Sequence, residues 1–444
     1  MRKRLSPPQV LIFGFVSFIL VGTLLLLLPM STPEGISFVD ALFTSTSAVC
    51  VTGLIVKDTP LDFTVFGQIV ILCLVQIGGF GYMTSATILF LLLGKRIGIS
   101  ERLVMKDALN VASLEGIVRF TKAVVLMTLI FEGVGALLLA VRFLRFSPPG
   151  KALFDGVFLA VSAFNNAGFS VFSDNLVGFR GDAMVTLVIT SLIIAGGVGF
   201  IAVSDVHSFL RRRSPRVSVH TKTVFLTTTV LIVLAASLIY AFERSNPLTL
   251  SEMPAREQIL ASYFAAVTPR TAGFNTVDYA KLSPDTLVFT MLLMFIGASP
   301  GSTGGGVKTT TVAIVLAGFW ATLRNTRDAT LFRRRIPAAV LSRSLMLIVF
   351  SLSLILLFSL LIMRAERVSI LPAAFEVTSA FATVGLSLGD GGVRSLSAGF
   401  GPLGKMLICA VMFIGRLGPL TLAIAVIRSR EERYRYPEGR ILIG

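Results

Sequence analysis

The sequence contains few side chains from which a catalytic or metal centre could be built. Its 444 residues include three cysteines and two histidines. Cys50, Cys73 and Cys409 have the spacing of neither a disulfide framework nor a zinc site. A membrane enzyme would need clustered His, Asp, Glu or Cys near the bilayer surface, and the sequence shows no such cluster. We therefore predict that the protein is not an enzyme and has no resident metal or cofactor.

Charged side chains are also scarce. They make up 14% of the chain, against 54% hydrophobic residues, and the mean hydropathy is +0.84. A membrane-spanning helix needs roughly 18 or more apolar residues, and runs of this length recur, so we predict an all-α polytopic membrane protein with eight transmembrane helices. The predicted spans are Val10–Leu28, Phe63–Leu93, Ala123–Val141, Ala183–Val203, Thr223–Tyr240, an interrupted run from Thr286 to Ala321, Leu345–Met363 and Met406–Val426.

Lysine and arginine are distributed unevenly between the connections. If the N-terminus is cytoplasmic, the inner connections hold about twice as many of these residues as the outer ones, as the positive-inside rule requires. The first run, Val10–Leu28, lacks the small-residue cleavage site of a signal peptide and is kept as a span. We expect both termini in the cytoplasm. The formal net charge of +16 then reflects topology, and binding to nucleic acid is not expected.

Four segments repeat a similar pattern around one glycine, each after a short apolar helix. The glycines are Gly53, Gly168, Gly273 and Gly385, at intervals of 105 to 115 residues. The first two short helices are expected to begin near Asp40 and Asp155. The repeats are predicted at 8–93, 119–210, 221–322 and 337–427, followed by a tail at 428–444. Because non-helical backbone at membrane depth must be buried or line a water-filled cavity, we expect the four segments to meet on one axis.

Such an axis suits a cation. A ring of backbone carbonyl groups can replace the hydration shell of an ion, and glycine reaches the backbone angles that turn carbonyl groups inward. The predicted selectivity-filter residues are Val51, Thr52, Gly53, Asn166, Ala167, Gly168, Thr271, Ala272, Gly273, Thr383, Val384 and Gly385. The last triplet reproduces the first three residues of the potassium-channel Thr-Val-Gly-Tyr-Gly filter. The other triplets depart from it, which leaves a sodium-permeable or sodium-coupled transporter as the alternative.

The predicted span of the third repeat is interrupted by glycine and proline, which oppose a continuous helix. We interpret residues 297–306 as a loop that covers the pathway and acts as a gate; a passive kink for close helix packing is the alternative. The candidate gate residues are Gly297, Ser299, Pro300, Gly301, Ser302, Thr303, Gly304, Gly305, Gly306 and Arg416. The segment approximates a phosphate-binding loop, but Val307 displaces Lys308 by one position, so nucleotide binding is rejected.

Ionisable residues within a span are costly and indicate function by default. Arg416 lies in the last predicted span, and we expect it under the filter, where it repels cations or holds the gate loop through its carbonyl groups. A structural role, as a pair with Glu132 or at a helix end, is the alternative. Lys308 extends the same basic region. Arg270, beside the third filter triplet, is expected to pair with an outer acid such as Glu376.

These segments resemble the membrane subunit of the Trk/Ktr/HKT potassium transporter superfamily, with most similarity to the bacterial Ktr branch. The motifs that carry the resemblance are Ala160–Phe169, Ala266–Asn275, Phe375–Leu386 and Met412–Leu420. The resemblance implies four span–pore helix–span units with pseudo-fourfold symmetry around one pore, and potassium uptake across the plasma membrane. In plant relatives a serine at the position of Gly53 favours sodium, so Gly53 argues for potassium.

The resemblance also implies partners. It suggests a homodimer in membrane lipid and a cytoplasmic, KtrA-like ring of nucleotide-binding subunits, with ATP and ADP bound only to that ring, K⁺ as the permeant ion and possible activation by Na⁺. The basic segments 211–213 and 333–335 are candidate docking faces, and solvated topology determinants are the alternative. The tail 435–440 resembles the Ktr C-terminus, whereas the glycine-rich gate segment is closer to the Trk branch.

Overall fold

The computed structural model describes residues 7–92, 117–212, 215–326, 328–389 and 393–418, and this part of the chain is mostly helical. The predicted tail 428–444, most of the long inner connection and Arg213 lie outside the described residues. The helices are α1 (Pro7–Leu26), α2 (Phe38–Val49), α3 (Thr59–Asp62), α4 (Val65–Leu92), α5 (Ile117–Phe143), α6 (Pro149–Phe164), α7 (Ala183–Val198), α8 (Phe200–Leu210), α9 (Val219–Glu243), α10 (Ala255–Val267), α11 (Pro284–Phe295), α12 (Thr309–Leu323), α13 (Ala338–Glu366), α14 (Ile370–Ala382) and α15 (Pro402–Leu417).

Short elements connect these helices. Single 3₁₀ turns lie at Val177–Phe179, Tyr279–Lys281 and Leu396–Gly399. The two strands β1 (Thr330–Leu331) and β2 (Arg334–Arg335) pair antiparallel and form a small hairpin between α12 and α13. The hairpin places the predicted docking segment 333–335 at an exposed turn.

Four helices in the described part of the chain are long and apolar enough to cross a membrane, namely those at Gln9–Leu26, Phe120–Phe143, Val219–Glu243 and Ala338–Glu366. Large apolar side chains on these helices, such as Leu24, Leu137 and Val233, are more than half exposed. Exposure of this kind is expected where lipid is the surrounding solvent. The helices α7 and α8 form a further span only if their 94° bend is included.

Glycines with positive φ lie within or at the end of the helices that follow the first, second and fourth glycine segments, in addition to the interruption predicted in the third repeat. Gly81 within α4, Gly199 between α7 and α8, and Gly418 after α15 have φ of +74°, +94° and +83°. A left-handed residue cannot continue a right-handed helix, and glycine adopts this conformation without steric cost. In the third repeat the interruption is longer and separates α11 from α12.

The short helices that precede the filter glycines begin differently from the prediction in the second repeat. Helix α2 begins at Phe38, close to the predicted Asp40, and the Ser37 Oγ caps it by accepting from the Asp40 N–H at 3.1 Å. Helix α6 begins at Pro149, so Asp155 lies in its middle. Proline is favoured in the first turn because its missing N–H is not needed there.

Each short helix is anchored in the protein interior by a phenylalanine nine or ten residues before its filter glycine. These anchors are Phe43, Phe158, Phe264 and Phe375, all at most 1% exposed. Full burial of an aromatic side chain is a large stabilising contribution. The anchors therefore fix the C-terminal ends of the short helices at one place in the interior.

Candidate functional site

The four glycine segments share one backbone conformation. In each segment the glycine and the residue two positions before it both have positive φ. The values are +56° and +86° at Val51 and Gly53, +60° and +72° at Asn166 and Gly168, +73° and +76° at Thr271 and Gly273, and +53° and +94° at Thr383 and Gly385. A left-handed residue other than glycine costs about 1–3 kcal/mol. Strain of the same kind at four matched positions indicates a common function.

The glycines approach one another in cyclic order. A Cβ atom on Gly53 would lie 2.3 Å from the Ala167 carbonyl oxygen, and one on Gly168 would lie 2.9 Å from the Ala272 oxygen. A Cβ atom on Gly273 would lie 2.4 Å from the Val384 oxygen, and one on Gly385 would lie 2.3 Å from the Thr52 oxygen. Each segment therefore abuts the next, and the fourth abuts the first, with no room for a side chain between them.

Hydroxyl groups of the short helices hold these segments. Ser47 Oγ accepts from the Gly53 N–H and Ser379 Oγ accepts from the Gly385 N–H, both at 3.0 Å. In the other two segments Ser162 Oγ donates to the Phe169 carbonyl oxygen at 2.7 Å, and Thr268 Oγ1 donates to the Phe274 oxygen at 2.5 Å. The strained backbone is thus tied to the helix that precedes it.

The carbonyl groups of the middle residues are left without donors. Among the described residues, none donates a hydrogen bond to the carbonyl oxygen of Thr52, Ala167, Ala272 or Val384, although all four residues are fully buried. The buried hydroxyl groups of Thr52, Thr271 and Thr383 likewise have no partner there. Buried backbone carbonyl groups are almost always hydrogen-bonded. A ring of unpaired oxygens is suited to a partly dehydrated cation.

A cavity of about 40 Å³ opens on the side of the residues that follow the glycines. Its lining includes all four filter glycines together with Asp58, Tyr279 and Arg394. Burial raises the pKa of Asp58 above its ordinary value, and hydrogen bonding to Ser173 and the charge of Arg394 oppose this. The cavity thus brings an acidic side chain to the entrance of the ring.

The predicted gate loop lies on the other side of the ring. A Cβ atom on Gly304 would lie 2.0 Å from the Thr271 Oγ1, and one on Gly305 would lie 2.4 Å from the Thr383 Oγ1. Both threonines precede the filter glycines, whereas the cavity is lined by residues that follow them. The loop therefore lies directly against the third and fourth filter segments.

The loop is hydrogen-bonded rather than an open coil. Gly297 N donates to the Val307 oxygen at 3.0 Å, and the hydroxyl groups of Ser299 and Thr309 are 2.9 Å apart. The loop is also attached to the helix break of the second repeat. There Ser299 N donates to the Gly197 oxygen at 3.0 Å, and Phe200 N donates to the Gly301 oxygen at 2.9 Å.

Arg416 joins three parts of the site. Its Nη1 donates to the Thr303 carbonyl oxygen in the loop, and its Nη2 donates to the Gly78 carbonyl oxygen in α4. The alternative pairing with Glu132 is not formed. Lys308 contacts the same loop, with its Nζ 2.7 Å from the Gly304 oxygen.

Glu132 belongs to a separate buried cluster behind the second filter segment. Asn165 Nδ2 donates to the Glu132 Oε1 and to the Gln76 Oε1, both at 2.9 Å. Asn165 is the residue that directly precedes the filter triplet of the second repeat. The cluster therefore links that triplet to α5 and α4.

The predicted pair of Arg270 and Glu376 is wrong. Glu376 accepts from the Ser387 Oγ at 2.5 Å, and also from the N–H and Oγ of Ser397. These serines follow Glu376 in its own repeat and satisfy the carboxylate locally. Arg270 is buried, and its Nε and Nη2 have no partner among the described residues.

Sequence reasoning missed three glycines, in the helices that follow the first, second and fourth glycine segments, that lie against the ends of the short helices. A Cβ atom on Gly78, Gly196 or Gly415 would lie 2.2, 1.9 or 1.9 Å from a carbonyl oxygen at the C-terminal end of the adjoining short helix, that of Val49, Phe164 or Phe381. Each of these glycines precedes the left-handed glycine by three residues. The repeated Gly-x-x-Gly spacing was the available signal. At this alignment Arg416 takes the place of Gly79 and Gly197.

The described residues contain no group of three or more His, Cys, Asp or Glu side chains that could hold a metal ion. The oxygens available to a cation are those of the ring. The arrangement can therefore bind a cation through backbone carbonyl groups, with a cavity lined by Asp58 and Arg394 on one side and a loop held by two basic side chains on the other.

Comparison with known proteins gave close relatives. The TrkH family, described as cation transport proteins, matches residues 7–434. The chain is 42% identical to the Ktr system potassium uptake protein B of Bacillus subtilis, over 99% of this chain and 97% of that one. It is 37% identical to the potassium/sodium uptake protein NtpJ of Enterococcus hirae, over 100% of this chain and 98% of that one. The crystal structure of the potassium transporter TrkH from Vibrio parahaemolyticus superposes with a TM-score of 0.74 at 19% identity, covering 96% of this chain and 86% of that one.

Proposed function

The chain belongs to the TrkH family of cation transport proteins, and from that premise we propose that it conducts potassium ions as the membrane subunit of a Ktr-type uptake system. The relatives named as Ktr system potassium uptake proteins, from Bacillus subtilis and Vibrio alginolyticus, align over nearly the whole chain. These relatives are bacterial, which supports a location in a bacterial cell membrane. No covalent chemistry is required for this function.

The observation that carries the proposal is the closed ring of the four glycine segments. Its unpaired carbonyl oxygens, such as those of Thr52 and Val384, can replace the water molecules around a cation. Potassium is the favoured ion because the fourth triplet, Thr383-Val384-Gly385, is that of potassium channels. In this interpretation the ion enters past Asp58, crosses the ring and leaves beside the gate loop.

The same interpretation assigns eight spans in four repeats around the ring. The helices α1, α5, α9 and α13 are the first spans of the repeats. The interrupted elements α4, α7–α8, α11–α12 and α15 are the second spans. Each interruption lies beside the C-terminal end of a short helix, as Gly196 does beside Phe164. The distribution of lysine and arginine supports cytoplasmic termini.

The loop 297–306 is the gate in this proposal. It lies against Thr271 and Thr383 at the inner end of the ring and is held there by Arg416. Movement of the loop would open the pathway without disturbing the filter. Flow would then follow the electrochemical gradient of the ion.

A cytoplasmic partner and a homodimer complete the proposal. The word "system" in the names of the Ktr relatives implies further components. The exposed basic hairpin that contains Arg333 and Arg334 offers a docking face for a regulatory subunit. Any ATP or ADP would bind to that subunit, because the described residues offer no phosphate-binding loop.

Sodium transport is the second candidate, and one observation favours it. The Enterococcus hirae relative is named a potassium/sodium uptake protein. The first three filter triplets also differ from Thr-Val-Gly.

Ion flux in liposomes tests the proposal. The purified protein is reconstituted with potassium or sodium as the only permeant cation, and flux is followed with an ion-sensitive dye. We expect potassium to pass much faster than sodium and Gly385→Asp to abolish the flux while the protein still inserts. Equal fluxes would favour the sodium candidate, and no cation flux in wild-type protein would reject both.

A further inference from the structure

Lys308 is a basic residue whose contacts lie within the gate loop itself. It directly precedes α12, and its Nζ is 2.7 Å from the Gly304 carbonyl oxygen and 3.4 Å from that of Gly305. These two glycines are the part of the loop that lies against the filter threonines Thr271 and Thr383. An ammonium group is therefore bound to the backbone carbonyl groups of the loop stretch that lies against the ring.

We infer that Lys308 is the latch of the gate loop. Its ammonium group occupies the Gly304 and Gly305 carbonyl oxygens in the way a permeating cation would, and so holds the loop closed against the filter. The inference rests on the proposed function and adds the residue that controls the gate. A charged donor makes a stronger hydrogen bond to a carbonyl group than a neutral donor does. Release of the Lys308 ammonium group therefore destabilises the closed loop more than the loss of one backbone hydrogen bond would.

The fold does not need Lys308 to close the ends of the loop. Backbone bonds from Gly297 N to the Val307 oxygen and from Ala298 N to the Gly305 oxygen already do so, at 3.0 and 3.3 Å. A charge at membrane depth is costly, so its presence there indicates a function by default. The charge of Lys308 is directed only to the stretch of the loop that faces the filter, which is the stretch that must move for conduction.

Arg416 and Lys308 hold the loop from different elements. Arg416 belongs to α15 and binds the Thr303 carbonyl oxygen, whereas Lys308 directly precedes α12 and binds the next two carbonyl groups. Helix α12 packs against the basic hairpin at its other end. A pull on that hairpin would move α12 and withdraw Lys308 from the loop.

The test measures potassium flux in liposomes that contain the membrane subunit alone. The variants are Lys308→Met, Lys308→Gln and Lys308→Arg, and Lys222→Met is the matched control because Lys222 is exposed at the start of α9. We expect Lys308→Met and Lys308→Gln to conduct at least about tenfold faster than wild type, the change expected from loss of one charged hydrogen bond. Lys308→Arg keeps the charge and should stay as slow as wild type, as should Lys222→Met.

Three results would overturn the latch. The first is a potassium flux in both Lys308→Met and Lys308→Gln that equals that of wild type. The second is a flux slower than wild type in whichever of these two neutral variants folds. The third is an acceleration by Lys308→Arg as large as that of the neutral variants. Lys308→Gln keeps a hydrogen-bond donor and serves as the test if Lys308→Met does not insert. The wild-type flux distinguishes failure of the latch from failure of the proposed function. If wild type conducts and the neutral variants match it, only the latch fails, and if no variant conducts any cation, the proposed function fails with it.

Discussion

A Cβ atom on Gly53 would lie 2.3 Å from the carbonyl oxygen of Ala167, although the two residues belong to different repeats. Contacts of this kind continue through the third and fourth segments and return to the first. The absence of a side chain at Gly53 is therefore a condition for closing the ring. The ring in turn depends on four short helices that deliver their C-terminal ends to one point.

Replacement of Gly53 by serine tests this condition. The new Cβ would overlap a backbone carbonyl group that cannot rotate away, so the ring must widen and the fit to potassium must weaken. We expect Gly53→Ser to lower the ratio of potassium to sodium flux severalfold. The measurement is the reversal potential or paired fluxes in liposomes with the two cations.

Gly35 provides the matched control for that variant. It has a similar φ of +80°, but a Cβ atom there would meet nothing within 4 Å. Gly35→Ser therefore introduces comparable backbone strain without the overlap, and selectivity should stay at the wild-type value. Equal selectivity in Gly53→Ser and wild type would contradict the ring.

Removal of the Arg416 side-chain charge should loosen the gate loop. Its two hydrogen bonds go to carbonyl oxygens of Thr303 and Gly78, and a bond to a charged group contributes about 1.5–3 kcal/mol. We expect Arg416→Gln to raise potassium flux in the absence of a partner and to lower thermal stability in detergent. Arg343→Gln, at an exposed position near the start of α13, is the control. A variant with wild-type flux and stability would remove Arg416 from the gate.

The sequence predicts much of this site because its parts repeat. The even spacing of Gly53, Gly168, Gly273 and Gly385 is visible without a structure, and so is the density of glycine between α11 and α12. The sequence does not predict the positive φ at Gly81, Gly199 and Gly418. A single glycine in an apolar run permits positive φ but is equally compatible with the negative φ of a continuous helix. Comparison of the four runs with one another would have shown the shared Gly-x-x-Gly spacing.

Other details depend on tertiary contacts that a single sequence does not contain. The pairing of Arg270 with Glu376 was inferred from charge, but Ser387 and Ser397 satisfy Glu376 within its own repeat. The sequence predicts that the second short helix begins near Asp155, which lies thirteen residues before Gly168, as Asp40 does before Gly53. Pro149 was the better signal, since proline favours the first turn of a helix.

The cluster behind the second filter segment should stabilise that segment. Asn165 shares its amide group between Glu132 and Gln76, so Asn165→Ala removes the donor from one buried and one partly buried acceptor. We expect a loss of about 1–3 kcal/mol for each unsatisfied group, and a reduced preference for potassium because Asn165 adjoins the filter triplet. Thermal unfolding in detergent and paired fluxes measure the two effects.

Glu132→Gln is the matched variant for this cluster. It removes the ionisable carboxyl group and keeps an oxygen that can accept from Asn165. Both stability and selectivity should stay close to wild type. If Glu132→Gln were as damaging as Asn165→Ala, a negative charge rather than a hydrogen-bond acceptor would be required at this position.

Asp58 should make conduction depend on the pH of the outer solution. Burial raises its pKa above the ordinary aspartate value of about 3.9. The carboxylate at the cavity is therefore neutralised as the pH falls through this raised pKa, at a higher pH than for an exposed aspartate. Since a negative charge at the entrance concentrates cations, potassium flux at low external potassium should fall over that range and recover when the pH is raised. The folded state should also be favoured by protonation of Asp58, so stability is lost rather than gained as the pH rises through the same pKa.

Asp58→Asn should remove the pH dependence of the potassium flux, while Asp285→Asn, at an exposed carboxylate in the first turn of α11, should retain it. A pH profile unchanged by Asp58→Asn would place the entry of the ion elsewhere.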